Sequence, residues 1–315
     1  MSSRNHLLRS FVVAALAATP LVSFAQEAPR RPLKYITPVV AGNDSMVYFI
    51  ADAPNLATPG SPNPDNLYCV KTDGTGLKRL THNGASTPRW RRGVDGYITF
   101  AGTASDSGNV FAVRPDGTGL RLLAAVPGRN PVLSPDGTKV AYIVGPQQEA
   151  ELWVLDMVAS DRRRIAGGAG SAAWFPAWDP DGRRLAYTYG APQHGQAIHV
   201  VRVEGAVRDT AVTNPSDQRY SMQRPAWSPD GRRIAVQWSE ESGRGSRIAI
   251  IDLPTRGIRI LDVPPPRGLD TVRDECPWWF PDGKRLVFHS DRSGNSDIWS
   301  INDDGSGLTQ ITGIR

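Results

Sequence analysis

A phrase of about ten residues recurs along this chain, and it constrains the fold more than any other feature. Four copies read "LSPDGTKVAY", "WDPDGRRLAY", "WSPDGRRIAV" and "WFPDGKRLVF", and two weaker copies further upstream lack the Pro-Asp-Gly. Successive copies are 50, 43, 45, 49 and 52 residues apart, measured between the prolines that precede them. A fixed period of this length indicates a repeat architecture. These anchor prolines are Pro38, Pro88, Pro131, Pro176, Pro225 and Pro277.

Each unit has the pattern of four short strands. Pro-Asp-Gly predicts a tight turn, because proline presets the first turn position, aspartate accepts amide hydrogen bonds and glycine takes a positive φ. Segments such as "KVAYIV" and "LWVL" then predict a second and a third strand, and "DGTGL" or "DGSGL" predicts a turn into a fourth. The turn aspartates are therefore assigned a structural role rather than a catalytic one: Asp136, Asp181, Asp230 and Asp282.

Six copies of a four-stranded unit predict an all-β fold, a six-bladed β-propeller of four-stranded antiparallel blades. One such sheet cannot bury both of its faces, whereas radial stacking lets each face pack on a neighbour. Strand alternation places the first and third turns of every blade at one end of the ring. The second connection and the link between blades lie at the other end. Four tryptophans two residues after an anchor are interpreted as wedges between blades: Trp90, Trp178, Trp227 and Trp279.

The N-terminus differs from the repeats. Residues 1–25 combine Arg4 and Arg9 with a short apolar run and small residues near Ala25, which predicts a secretory signal peptide. Residues 26–37 form an N-terminal segment that either adds an outer strand to the last blade or trails across it. Residues 38–315 form the propeller. No later run reaches the ~18 apolar residues of a membrane span. With the predicted signal peptide, we expect an exported, periplasmic protein. We also expect it to be a monomer.

The net charge argues against a nucleic-acid partner, and the two cysteines argue against a disulfide. The formal net charge is +5, and +3 without residues 1–25, too mild and too dispersed to predict nucleic-acid binding. The chain has two cysteines, Cys69 and Cys276. They occupy unrelated places in their repeats, which disfavours a disulfide, and neither has a histidine nearby in sequence to suggest a nucleophile.

The segments "PAWSPDGRRIAV" and "SDRSGNSDIWSINDDGSGLTQIT" resemble the repeat of the TolB-type propellers, a WD40-like (PD40) family. The resemblance covers the region after the signal peptide, most strongly in units three to six. It implies an exported six-bladed propeller and leaves the function open, because such folds host many activities. TolB carries an α/β domain ahead of its propeller, and only about a dozen residues separate Ala25 from Pro38 here. The contacts that TolB makes through that domain are therefore not carried over.

Catalytic motifs are weak or missing. No Gly-x-Ser-x-Gly is present, and we expect no hydrolase domain after the last blade, no cofactor and no metal. A metal-dependent lyase would need convergent histidines. "DRSGNSD" has the oxygen spacing of a calcium loop without a glutamate at its twelfth position, so calcium is left open. The histidines after residue 25 fall at different blade positions: His82, His194, His199 and His289.

The links between blades supply the candidate site, because they converge on the central channel just before the anchors. Arginine and aromatic residues beside carboxylates favour a protein- or peptide-binding site, with an envelope protein or peptide as partner. One alternative is that these residues only plug the channel. The other is a carbohydrate-active enzyme that uses Asp274 and Glu275 for acid–base chemistry. The candidate residues are Arg129, Asn130, Trp174, Phe175, Tyr220, Arg224, Asp274 and Glu275.

Overall fold

Six four-stranded antiparallel sheets follow one another along the chain, each made of consecutive strands. The computed structural model describes residues 34–40, 45–52, 65–82, 84–90, 96–102, 108–190, 196–204, 209–212, 220–240 and 245–313. The predicted signal peptide lies outside these residues and stays a prediction. The all-β, six-bladed propeller is confirmed.

The strands have the following bounds. Blades one to three contain β1 (Lys34–Val40), β2 (Met46–Asp52), β3 (Asp65–Lys71), β4 (Lys78–Arg79), β5 (Ser86–Trp90), β6 (Ile98–Ala101), β7 (Asn109–Val113), β8 (Arg121–Ala125), β9 (Arg129–Leu133), β10 (Lys139–Val144), β11 (Glu151–Asp156) and β12 (Asp161–Gly167). Blades four to six contain β13 (Ala173–Trp178), β14 (Arg184–Tyr189), β15 (Ala197–Arg202), β16 (Asp209–Ala211), β17 (Tyr220–Trp227), β18 (Arg233–Glu240), β19 (Arg247–Asp252), β20 (Ile258–Ile260), β21 (Asp274–Trp279), β22 (Arg285–Ser290), β23 (Asp297–Asn302) and β24 (Thr309–Gln310).

The first strand is the inner one, and residues of β1, β9, β13, β17 and β21 line the channel. A short 3-10 turn, Gln147–Glu149, interrupts the second connection of the third blade. In the described part of the chain, no helix has the length and apolar character needed to cross a membrane. Residues 26–33 of the N-terminal segment lie outside the described residues, so the course of that part of the segment stays a prediction. The segment's residues from Lys34 onward belong to β1, the inner strand of the first blade, and the sixth blade takes its outer strand, β24, from its own repeat.

The hydrophobic core is divided into six clusters, one at each contact between neighbouring blades. The cluster that joins the last blade to the first contains Phe49 and Tyr68 from blade one and Phe280, Val287 and Ile298 from blade six. Those five side chains are at most 1 % exposed. Each blade thus buries both faces against its neighbours, and the ring is closed by packing.

The tryptophans of the repeat lie between blades, as the sequence indicated. Trp178, Trp227 and Trp279 are at most 9 % exposed. Each indole N–H donates to a carbonyl on the inner strand of the preceding blade, over 2.9, 3.0 and 3.1 Å respectively. Guanidinium groups of that preceding blade cover two of the rings: Arg184 lies 4.5 Å above Trp227, and Arg233 lies 4.6 Å above Trp279. The side chain of Trp90 lies outside the described part.

The repeated turns are held by aspartate side chains. In blade three, Asp136 accepts hydrogen bonds from the hydroxyl of Ser134 and from the amide and hydroxyl of Thr138. Gly137 completes the turn with a φ of 80°, which glycine adopts without steric cost. Blade four departs from the prediction, because Asp179 rather than Asp181 accepts the amide hydrogens of the two following arginines.

Asp136 makes stability depend on acid pH. Its burial raises the carboxyl pKa, but the hydrogen bonds from Ser134 and Thr138 outweigh this and lower the pKa to about 2. A carboxyl with a lowered folded-state pKa stabilises the fold above its unfolded pKa of about 3.9, and the contribution is lost as the pH falls through about 2. We expect the wild type to lose more stability than Asp136→Asn over that interval, measured by urea unfolding. Parallel pH profiles for the two proteins would contradict the assignment.

Candidate functional site

Every inner strand contains a one-residue β-bulge at its anchor proline. In all six pairings of inner and second strands, the register shifts by one across the proline and the residue before it. In blade six, Glu275 pairs with His289, after which Cys276 and Pro277 together lie opposite Phe288. Proline has no N–H to donate to a strand ladder, and a bulge on an edge strand accommodates it.

The residue before the proline adopts a left-handed backbone in five of these bulges. A residue that precedes proline normally takes an extended conformation, and a non-glycine left-handed residue costs about 1–3 kcal/mol. Backbone strain of this kind clusters at ligand sites, which makes these five positions candidates for a binding surface. We call these residues the collar: Thr37 (φ 49°), Asn130 (51°), Phe175 (49°), Arg224 (55°) and Cys276 (53°).

The collar residues of five blades line the channel together, along with the anchor prolines Pro38, Pro176, Pro225 and Pro277. The channel opens into a cavity of about 440 Å³, within the usual size range of small-ligand sites. The cavity lies at the ring end that holds the links between blades and the second connections, as strand alternation predicted. We call it the channel mouth. Besides the collar it is lined by Ile36, Ile50, Asp65, Arg273, Glu275, His289, Asp291 and Ser296.

A row of two aromatic rings between two arginines runs into the channel mouth, which its members Phe175 and Arg224 line. The guanidinium of Arg129 lies 4.8 Å from the ring centre of Trp174 and donates to the carbonyl of Gly145 over 2.8 Å. The rings of Trp174 and Phe175 are 6.3 Å apart, and the guanidinium of Arg224 lies 4.5 Å from the Phe175 ring. We call these four residues the arginine–aromatic row. It offers flat apolar surface and positive charge together.

Next to Arg224, the sixth blade contributes a cysteine, a histidine and a glutamate to the channel mouth. Nε2 of His289 lies 3.4 Å from Oε2 of Glu275 across the β21–β22 pair. Burial alone would lower the pKa of His289, but its interactions with Cys276 and Glu275 raise it to about 9. Burial alone would raise the pKa of the Cys276 thiol, but the positive charges of Arg224 and His289 hold it below its ordinary value. The hydrogen bond to His289 holds the pKa of Glu275 below its usual range, despite burial.

Asp274 is not part of the channel mouth. Adjacent side chains on a strand point to opposite faces, and Asp274 is 4 % exposed in the blade, where it binds the equally buried Arg292 over 2.7 Å. Burial raises the pKa of the Asp274 carboxyl, and the Arg292 guanidinium opposes that rise. Asp274 and Glu275 therefore do not converge as an acid–base pair.

The eight predicted site residues divide into three groups, and all lie in strands rather than in loops. Asn130, Phe175, Arg224 and Glu275 line the channel mouth. Arg129 and Trp174 extend it through the arginine–aromatic row. The other two point elsewhere: Tyr220 packs against Trp238 and the core between blades four and five, and Asp274 is buried in its ion pair.

Sequence reasoning missed part of this site. Thr37 and Cys276 occupy the same position as the other collar residues, directly before an anchor proline, so comparing that single position across the repeats would have found them. His289 has no such signal, because only the pairing of β21 with β22 brings it beside Glu275. Arg273, in the link before β21, and Asp291, in the connection between β22 and β23, also line the channel mouth.

Two further sequence expectations concern cysteines and cations. Cys69 and Cys276 are free thiols in different blades. The segment considered as a calcium loop connects β22 to β23, and its acidic side chains are already engaged. Asp291 accepts the amide hydrogen of Arg273, and Asp297 accepts from the hydroxyls of Ser293 and Thr312. Within the described residues, no three acidic, histidine or cysteine side chains are grouped to hold a metal ion.

The fold and its channel define a six-bladed propeller built from short repeats, and a family comparison agrees. Residues 176–314 match the family model of the TolB β-propeller domain, PD40. The resemblance to the TolB-type propellers is thereby confirmed.

Solved structures share the fold. TolB from Acinetobacter baumannii superposes with a TM-score of 0.65 at 19% identity, covering 84% of this chain and 63% of that one. A puromycin-hydrolysing peptidase from Mycobacterium tuberculosis gives 0.58 at 16% identity, covering 90% and 53%. An oligogalacturonate lyase in complex with manganese gives 0.56 at 15% identity, covering 89% and 77%. Likeness at these identities concerns the fold alone.

Curated relatives match over shorter stretches. The hydrazine synthase subunit alpha of Kuenenia stuttgartiensis is 37% identical over 73 residues, which are 22% of this chain and 8% of that protein. Tricorn protease homolog 1 of Streptomyces coelicolor is 28% identical over 194 residues, 60% of this chain and 17% of that protein. The matches thus span less than a fifth of either relative.

Proposed function

We propose that this chain is an exported propeller of the cell envelope that binds a protein or peptide, as a monomer and without catalysing a reaction, at its channel mouth. The observation that carries the proposal is the arginine–aromatic row. Arginine and tryptophan are the side chains that most often dominate protein interfaces. A peptide segment would place an apolar side chain against Trp174 and Phe175 and a carboxylate against Arg224.

The carbohydrate-active alternative loses its main support. It needed Asp274 and Glu275 to share one pocket, whereas Asp274 is buried against Arg292 and Glu275 bonds to His289 with a lowered pKa. A general acid needs a raised pKa to carry a proton at neutral pH. The envelope location is inferred from the predicted signal peptide together with the TolB-like fold.

The binding proposal predicts that two substitutions weaken peptide capture. Peptides would be selected from a displayed library on the wild-type protein, and the affinity of the most enriched ones measured by fluorescence polarisation. Arg224→Ala and Trp174→Ala are each expected to raise Kd by about 30-fold, equivalent to about 2 kcal/mol. Trp174→Phe keeps an aromatic ring and should have a smaller effect.

Arg232→Ala is the matched control, because Arg232 is an exposed arginine in a Pro-Asp-Gly turn at the other end of the ring. It should bind the selected peptides with wild-type affinity. Thermal unfolding of every variant would show that the fold is retained. Selected peptides that bind Arg224→Ala and Trp174→Ala as tightly as the wild type would overturn the proposal.

A further inference from the structure

We propose that Cys276 is a nucleophilic thiol, and that at the channel mouth it forms a mixed disulfide with a small thiol compound that carries carboxylates. His289 accepts the thiol proton, Glu275 orients the imidazole, and Arg224 and Arg273 bind the carboxylates of the incoming disulfide. This inference goes beyond the proposed peptide binding and does not depend on it.

The bulge of β21 creates the geometry. A regular strand would turn the residue after Glu275 to the opposite face. The extra residue in the bulge and the left-handed φ of 53° at Cys276 instead bring its side chain into the channel, where Cys276 and His289 line the same cavity. Cys276 is partly exposed there. The thiol is thus both accessible and beside a base, the arrangement that activates cysteine nucleophiles.

His289 is placed to serve the thiol. It is nine-tenths buried, and among the described residues its Nδ1 has no hydrogen-bond partner. Its Nε2 faces the carboxylate of Glu275 at 3.4 Å. A buried polar atom without a partner is costly, and interaction with the Cys276 thiol or with a bound group would relieve that cost. Base, nucleophile and orienting carboxylate follow the general logic of activated thiols.

The surrounding charges favour the thiolate. Burial raises the pKa of Cys276, and Glu275 on the same strand adds to that rise, but Arg224 from β17 and His289 from β22 outweigh both and lower the pKa. Cys69, the other cysteine, is buried in blade one, where burial raises its thiol pKa. The two thiols of the chain should therefore differ strongly in reactivity, which gives the experiment an internal reference.

The ligand class follows from the lining of the cavity. Arg224 and Arg273 both line the channel mouth, and guanidinium groups recognise carboxylates through paired hydrogen bonds. In the reaction, the Cys276 thiolate attacks one sulfur of the small disulfide. The new bond to Cys276 forms as the disulfide's own S–S bond breaks. The other half leaves with the bonding electron pair as a thiolate, which takes the proton held by His289. A second small thiol reverses the step by the same exchange.

The test compares two small disulfides of opposite charge on the full-length protein. Glutathione disulfide carries carboxylates, whereas cystamine carries only ammonium groups. We expect glutathione disulfide to modify Cys276 at least about tenfold faster than cystamine does near pH 7, with Cys69 unmodified, as followed by intact-protein and peptide mass spectrometry. Arg224→Gln should remove most of this preference, and Cys276→Ser should abolish modification. Equal rates for the two disulfides would overturn the assigned ligand class.

A pH profile separates an activated thiol from an ordinary one. With neutral iodoacetamide as the probe, the reaction rate of Cys276 in the wild type should rise less steeply between about pH 6 and 8 than that of a thiol of ordinary pKa. In His289→Gln the rate should rise roughly tenfold per pH unit, as for a thiol of ordinary pKa. Glu275→Gln leaves the histidine in place and should give a pH profile between those of the wild type and His289→Gln. It replaces His289→Gln in the test if that variant does not fold. A wild-type profile that rises like that of a free thiol would refute the nucleophile assignment.

Discussion

Replacing Arg292 with leucine is expected to lower the free energy of unfolding by about 3–5 kcal/mol, because it leaves the Asp274 carboxylate buried without its charge partner. Both side chains are at most 4 % exposed. They are joined by two hydrogen bonds, of 2.7 and 3.3 Å, and Arg292 also donates to the hydroxyl of Ser290. The loss should appear as a lower urea midpoint without a change in slope.

Two controls identify the unpaired charge as the cause. Removing both partners, with Asp274→Leu and Arg292→Leu together, should cost less than Arg292→Leu alone, because no charge is then left buried. In Arg292→Leu alone, the folded-state pKa of Asp274 should rise further, because its charge partner is missing. Lowering the pH then neutralises the buried carboxylate. The loss of free energy of unfolding relative to wild type should therefore be smaller at about pH 5 than at about pH 8. A single variant within about 0.5 kcal/mol of wild type would show that the pair does not stabilise the blade.

Trp227→Ala is expected to destabilise the ring by about 3–5 kcal/mol, the usual cost of removing a large buried aromatic side chain. Trp227 fills the contact between blades four and five, its N–H binds the carbonyl of Ala177 over 3.0 Å, and the guanidinium of Arg184 covers its ring. The change therefore removes apolar packing, a hydrogen bond and a cation–π contact at one place. Chemical unfolding followed by circular dichroism would measure the loss.

Trp227→Phe separates these contributions, because it keeps most of the apolar ring and removes the N–H. It should cost about 1 kcal/mol or somewhat more, the net value of one hydrogen bond. Val158→Ala is the matched surface control, since Val158 is 80 % exposed, and it should stay within about 0.5 kcal/mol of wild type. If Trp227→Ala were no more harmful than Val158→Ala, the wedge assignment would be wrong.

The repeat alone was enough to predict blade number, strand number and the two unlike ends of the ring. Turn chemistry and strand pattern are local properties, and six copies of one local pattern leave few ways to bury both faces of every sheet. The wedge role of Trp178, Trp227 and Trp279 followed for the same reason, because a large apolar residue at one repeat position meets the same environment in each blade.

The candidate site was predicted only in part. Asp274 and Glu275 are neighbours in sequence, yet Asp274 pairs with Arg292 inside the blade and Glu275 faces His289 at the channel mouth. Tyr220 was assigned to the site, but it packs on Trp238. A local pattern places such residues near an end of the ring but does not decide which face of the sheet each side chain takes.

The sequence by itself thus determined the propeller, because the repeat spacing and the turn residues are local features that each repeat shows in its own sequence. Only the tertiary structure decided which residues surround the channel. One extra residue in a strand reverses the side-chain alternation, and the left-handed residue before each proline runs against its own local preference. Strand pairing in the closed ring imposes that conformation, and the same pairing brings His289 beside Cys276 across 13 residues of chain.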